Sequence, residues 1–165
     1  MASPTTIGAS LRLDGEREFK KALNEINNGL KVTASELALV TAKYSDNATS
    51  VKALTERGEV LERHIYSQRE KVEKLREALE ASAQKYGEAD SRTMKWQVSL
   101  NQAEAELIKM EKELHDNSEA LQKAREDMEK FGLAEDEVAE KSRGIGGIIA
   151  DLADKLGISL DRKSV

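Results

Sequence analysis

Two long stretches of this 165-residue chain carry apolar residues at alternating spacings of three and four, one stretch before Gly87 and one after it. This is the 3.5-residue period of a coiled coil, in which one narrow seam faces a partner helix. The candidate seam residues are Leu54, Leu61, Ile65, Val72, Leu75 and Leu79 in the first stretch, and Trp96, Leu100, Leu107, Met110, Leu114 and Leu121 in the second. The sequence therefore predicts an all-α chain of long coiled-coil helices.

The two stretches stay in phase when the chain is folded back at Gly87. The facing seam pairs are then Leu79 with Trp96, Leu75 with Leu100, Val72 with Ala103, Ile65 with Met110, Leu61 with Leu114 and Leu54 with Leu121. A continuous helix would not require this agreement, so the pattern favours an antiparallel helical hairpin turning at about residue 87. A long continuous helix in an oligomer is the alternative. Gly87 suits a left-handed helix C-cap, and Asp90 or Ser91 suits the N-cap of the next helix.

The rest of the chain divides at changes in pattern. Residues 1–14 form an N-terminal tail with a short strand, because apolar residues alternate from Ile7 to Leu13. Residues 15–46 form a first helix, which starts after an N-cap at Asp14 and carries its own stripe of Phe19, Leu23, Ile26, Leu30, Thr33, Leu37, Val40 and Tyr44. Residues 47–132 hold the hairpin. Residues 133–165 are predicted to contain an acidic helix, a Gly-rich joint and a short amphipathic helix.

The composition favours solvated helices over a globular enzyme. Hydrophobic residues make up 39% of the chain, charged residues 35% and aromatic residues 4%, which leaves little material for a water-excluding pocket. The absence of cysteine excludes disulfides and thiolate sites. The net charge of −5 comes from interleaved acidic and basic residues, without the basic face that binds nucleic acid. We expect no enzymatic activity, no cofactor, and no nucleic-acid or membrane partner.

Four residues could still suggest chemistry. In the folded-back register, His64 and His115 lie about one helical turn apart and could in principle share a metal ion. No set of further ligands surrounds them, and both lie outside the seam, so they are expected to be solvated. Trp96 and Tyr86, near the predicted turn, are better explained by seam packing than by a stacking platform.

Several strings resemble the N-terminal region of tail tape measure proteins of long-tailed bacteriophages, in the form found in phages and prophages of Gram-positive hosts. The resemblance covers residues 7–114, and more loosely 152–158. The strings are LRLDGEREFKKAL from Leu11, EINNGLKV from Glu25, YSDNA from Tyr44, VLER from Val60, QREKV from Gln68 and YGEADSRTMKWQ from Tyr86.

The resemblance implies a structural role. Tape measure proteins lie inside the tail tube, set its length during assembly and leave ahead of the DNA during infection. The resemblance also implies self-association and contacts with tail tube and tail assembly chaperone proteins. It places the chain in the virion tail or, during assembly, in the bacterial cytoplasm. Members of this family are much longer, so we expect a fragment, a truncated remnant or an N-terminal domain. A cellular coiled-coil adaptor, whose hairpin tip binds one protein partner, is the alternative.

Overall fold

The computed structural model describes residues 6–131, and this part of the chain is built from three α-helices. They are α1 (Thr6–Lys43), α2 (Val51–Tyr86) and α3 (Ser91–Lys130). No strand occurs within residues 6–131. The predicted all-α class is thus confirmed for the described residues. The acidic helix, Gly-rich joint and amphipathic helix predicted for 133–165 lie outside them.

The N-terminal strand predicted over residues 7–13 is wrong, because those residues belong to α1. Asp14 is therefore an interior helix residue, and the first helix starts at Thr6 instead of at residue 15. The alternation was too short to decide between the two structures, since it also places Ile7 and Leu11 four residues apart, as on a helix face. A helix satisfies its backbone groups locally, whereas a strand needs a partner, and the described residues supply none.

The ends of the helices follow capping chemistry. The first helix ends at Lys43, three residues before the predicted end. Ser50 caps α2, since its Oγ accepts a hydrogen bond from the Ala53 backbone N–H at 3.2 Å. Gly87 follows α2 with a φ of 90°, so the predicted left-handed residue is confirmed. Asp90, one of the two predicted caps, accepts from the Arg92 backbone N–H at 2.9 Å and caps α3.

The chain divides into two compact units. The first comprises the described part of Met1–Ala34 together with His64–Lys109. Its core is a cluster of buried residues, Val72, Leu75, Leu100 and Ala103, against which Leu23, Leu79, Trp96 and Leu107 pack partly buried. Leu23 comes from α1, so three helical segments contribute to this core.

The second unit comprises Ser35–Arg63 and the described part of Met110–Val165. One of its clusters joins buried Val51, Leu54 and Leu121, with Ala120, Ala124 and Met128 packed against them. Leu61 and Leu114, also in this unit, are among the most completely buried side chains, with 0% and 1% exposure.

Within residues 6–131, no helix combines the length and apolar character needed to cross a membrane.

Truncation of a core leucine tests the packing of the first unit. Leu75 is 2% exposed, so Leu75→Ala should lower the free energy of unfolding by roughly 2–4 kcal/mol through lost burial and a residual cavity. The matched control is Leu39→Ala, because Leu39 is 68% exposed and its truncation should change little. Urea unfolding followed by circular dichroism measures both. Equal effects of the two variants would contradict the assigned core.

Candidate functional site

The candidate site is the seam itself, and its twelve predicted residues fall into two burial groups. Eight are buried: Leu54, Leu61, Ile65, Val72, Leu75, Leu100, Leu114 and Leu121. The other four, Leu79, Trp96, Leu107 and Met110, are partly buried. The apolar stripe is therefore turned inward along most of its length.

A buried carboxamide interrupts the stripe in the first unit. Gln68 is fully buried, and its Nε2 donates to the backbone carbonyl oxygen of Ala103 at 2.8 Å and to Glu106 Oε2 at 3.1 Å. Its Oε1 is also buried and has no hydrogen-bond partner among the described residues. The unpaired acceptor costs free energy, which offsets the gain from the two hydrogen bonds of Nε2. Gln68 therefore contributes little net stability, but its bond to Ala103 requires one particular arrangement of α2 and α3.

A second carboxamide makes the same kind of contact in the second unit. Asn117 is 6% exposed, and its Nδ2 donates to the backbone carbonyl oxygen of Leu54 at 2.8 Å. The predicted pairing places Asn117 opposite Gly58, so the carbonyl that it reaches lies four residues, or one helical turn, earlier. Gln68 likewise reaches a carbonyl four residues before Leu107, which the same pairing places opposite it.

Other side-chain contacts between α2 and α3 agree with the predicted pairing. Buried Ser82 and Thr93 share a hydroxyl hydrogen bond of 2.9 Å, and the predicted pairing places these two positions opposite each other. In the first unit, Arg76 forms an ion pair with Glu104 at 2.7 Å. In the second unit, Arg57 forms one with Glu113. These ion pairs are largely exposed, so each contributes little to stability and more to the choice of register.

The two predicted solvated histidines have different environments, and the prediction is wrong for His64. His64 is 8% exposed, and its Nδ1 lies 2.5 Å from Oγ1 of buried Thr33 on α1. The burial of His64 depends on α1, which covers this face of α2 and has no part in the two-helix register. The stripe on α1, which includes Thr33, was the signal that could have revealed it. His115 is partly exposed and lies 3.5 Å from Glu119.

Two shallow grooves in the first unit share Trp96. The larger, about 200 Å³, is also lined by Asn27, Lys71 and Glu106. Lys71 and Glu106 lie 3.7 Å apart, so the charges in this groove offset each other. The smaller groove, about 70 Å³, is lined by Phe19, Tyr86 and Arg92 among others.

Trp96 and Tyr86 have different roles beside these grooves. Trp96 packs against the buried core cluster, and its remaining surface lines both grooves. The Arg92 guanidinium stacks 3.5 Å from the centroid of the Tyr86 ring, a favourable cation–π geometry. Residues 6–131 contain no group of three or more His, Cys, Asp or Glu side chains placed to hold a metal ion.

Comparisons with protein-family models, with curated proteins and with solved structures give no significant match to this chain.

Replacement of Gln68 tests whether its hydrogen bonds stabilise the first unit. Gln68→Leu removes a buried acceptor that lacks a partner. The carbonyl oxygen of Ala103 lies inside α3, where it can still accept a helical backbone hydrogen bond. We therefore expect the free energy of unfolding to stay within about 1 kcal/mol of the parent value or to rise. Gln84→Leu, at an exposed position on α2, is the control. Urea unfolding measures both. A loss of more than about 2 kcal/mol for Gln68→Leu would mean that the hydrogen bonds themselves stabilise the unit.

The α3 cap makes stability depend on pH. Hydrogen bonds from the Arg92 side chain and backbone lower the Asp90 pKa from its ordinary value of 3.8 to about 2. A lowered folded-state pKa stabilises the fold above the unfolded-state value, and the contribution is lost as the pH falls from about 4 towards 2. Thermal melts should therefore show Asp90→Ala less stable than the parent at pH 7, with the difference narrowing below pH 4. Glu88→Ala, in the same turn, is the control. A difference independent of pH would contradict the assignment.

Proposed function

We propose that this chain is a structural component of a bacteriophage tail, namely the N-terminal portion of a tape measure protein, which takes part in tail length determination and assembly and is later released ahead of the DNA. The observation that carries the proposal is the continuity of α2 and α3, of 36 and 40 residues, each burying one narrow stripe. An α-helix has a fixed rise of about 1.5 Å per residue, so packed helices of this kind supply defined length. The sequence resemblance over residues 7–114 supports the same assignment.

The proposal includes an antiparallel coiled-coil hairpin of α2 and α3 that turns at Gly87. In the first unit, support comes from the Ser82–Thr93 contact close to the turn and the Gln68–Ala103 contact farther from it. In the second unit, it comes from the contact between Asn117 and Leu54. From one contact to the next, the position on α3 moves later in the chain while the position on α2 moves earlier, as expected for antiparallel helices.

The proposed partners are further copies of the chain, the tail tube protein and the tail assembly chaperone. The proposed location is the virion tail and, during assembly, the cytoplasm of the bacterial host. Catalysis and cofactor binding have no part in this role.

One observation favours a cellular coiled-coil adaptor as a second candidate function. Phe19, Tyr86, Arg92 and Trp96 line a groove beside the turn between α2 and α3. Aromatic and arginine side chains are enriched where proteins bind one another. An adaptor of this kind would bind its partner at this turn and would leave tail assembly unaffected.

Seam variants made in the phage or prophage that the proposal implies test the proposed function. Leu61→Asp places a charge at a position with 0% exposure, whereas Leu39→Asp alters a position with 68% exposure. If the chain acts in a tail, Leu61→Asp should abolish particles with full-length tails, because a buried unpaired charge disrupts the packing. Leu39→Asp should leave them intact. Electron microscopy of tail preparations measures tail length, and mass spectrometry of purified tails tests whether the chain is present.

Normal tails with Leu61→Asp, or preparations that lack the chain, would contradict the tail assignment. In that case, loss of a partner protein upon Tyr86→Ala, compared with Tyr66→Ala as an exposed control, would support the adaptor. Tyr66 is 67% exposed and does not line the groove.

A further inference from the structure

The third helix carries a second apolar stripe that faces away from the core. Met94, Val98 and Ile108 are 58%, 56% and 60% exposed. Asn101 and Ala105, also exposed, complete the heptad spacing of four, three, four and three. At 100° per residue, the five positions fall within an arc of about 80°, which is the width of a coiled-coil seam. The opposite side of α3 contributes Leu100 and Ala103 to the core of the first unit.

We propose that this outer stripe binds the same stripe of a second copy of the chain, with the two α3 helices parallel and in register. The inference depends on α3 alone and holds whether or not the chain belongs to a phage tail. The orientation follows from the charges that flank the stripe, as the two possible arrangements bring different residues together.

In the parallel arrangement, Glu104 of one copy, which also forms an ion pair with Arg76 of its own chain, faces Lys109 of the other, and symmetry provides this contact twice. Gln97 faces Gln102 of the other copy in the same way. In the antiparallel arrangement centred on Asn101, Lys95 would face Lys109 of the other copy twice, which is repulsive. Charge complementarity therefore selects the parallel dimer.

A polar residue in the middle of the stripe supports the same register. In the parallel dimer, Asn101 faces its own copy, and a shifted register would instead place this polar side chain against an apolar one, which is unfavourable. The Asn101 Oδ1 already accepts a hydrogen bond from Gln97 Nε2 at 2.8 Å, which leaves its amide group free to donate across the interface. The stripe ends where Lys112 takes the next seam position.

The size of the stripe predicts a weak dimer. It covers about two heptads, and three partly exposed apolar side chains provide much less than the roughly 800 Å² per partner of a standard interface. The dimer should therefore dissociate on dilution, so that the chain can exist as a monomer of 18.3 kDa.

Sedimentation over a concentration series tests the surface. The mass of the full chain should rise from 18.3 kDa towards twice that value. Val98→Lys combined with Ile108→Lys should abolish the rise. Val32→Lys combined with Leu39→Lys, at positions on α1 that are 58% and 68% exposed, should preserve it. Circular dichroism should show the same thermal melt for all proteins, since none of these positions is buried. A parent chain that stays monomeric, or association lost only in the α1 control, would overturn the proposal.

Charge reversal and cross-linking test the orientation. Glu104→Lys and Lys109→Glu should each raise the dissociation constant about fivefold at low salt, and the double variant should restore it. The chain has no cysteine, so Met94→Cys alone should form disulfide-linked dimers in the parallel arrangement. Cross-linking only when Met94→Cys is mixed with Ile108→Cys would show an antiparallel pair and overturn the proposal, as would charge variants without effect.

Discussion

Burial of one narrow apolar stripe along α2 and α3 is the interaction on which the structure depends. More than a third of the chain is charged, so little apolar surface is available to offset the entropy lost when three long helices become ordered. That surface is concentrated at positions such as Leu61, Leu75 and Leu114, which are almost completely buried. The charged residues then remain on the outer faces, where their ion pairs add selectivity more than stability. Each unit therefore depends on a small number of large buried side chains. In the first unit, α1 also covers apolar and polar surface of α2 and α3, through residues such as Leu23 and Thr33.

Buried polar side chains in these units form hydrogen bonds to a neighbouring helix. Gln68 and Asn117 donate to backbone carbonyls of the neighbouring helix, and His64 contacts a threonine hydroxyl on α1. Each contact replaces hydration that burial removes. Because each requires a particular neighbour, these groups distinguish the observed packing from alternatives that a uniform leucine seam would tolerate equally well.

The sequence was most informative where chemistry is local or periodic. The apolar periodicity led to residues that are buried, such as Leu61 and Leu114, and the backbone freedom of glycine led to the left-handed residue Gly87 that follows α2. Residues 7–13 were misassigned because a seven-residue alternation is compatible with both a strand and a helix, and helix continuity through Asp14 and Gly15 decided between them. The burial of His64 could not be read from the two-helix register, since it depends on a third helix packing against α2. The grooves beside Trp96 likewise depend on how α1 approaches α2 and α3, which periodicity alone does not specify.

The carboxamide contacts have a mechanical consequence. In a seam made only of leucine, two helices can slide by one heptad and recover equivalent contacts, so an axial force could be relieved by stepwise slippage. Here, a slide within either unit would separate a carboxamide from its carbonyl and leave a further polar group unpaired in an apolar environment. Within each unit, the helices should therefore keep their relative positions under an axial force until that unit unfolds.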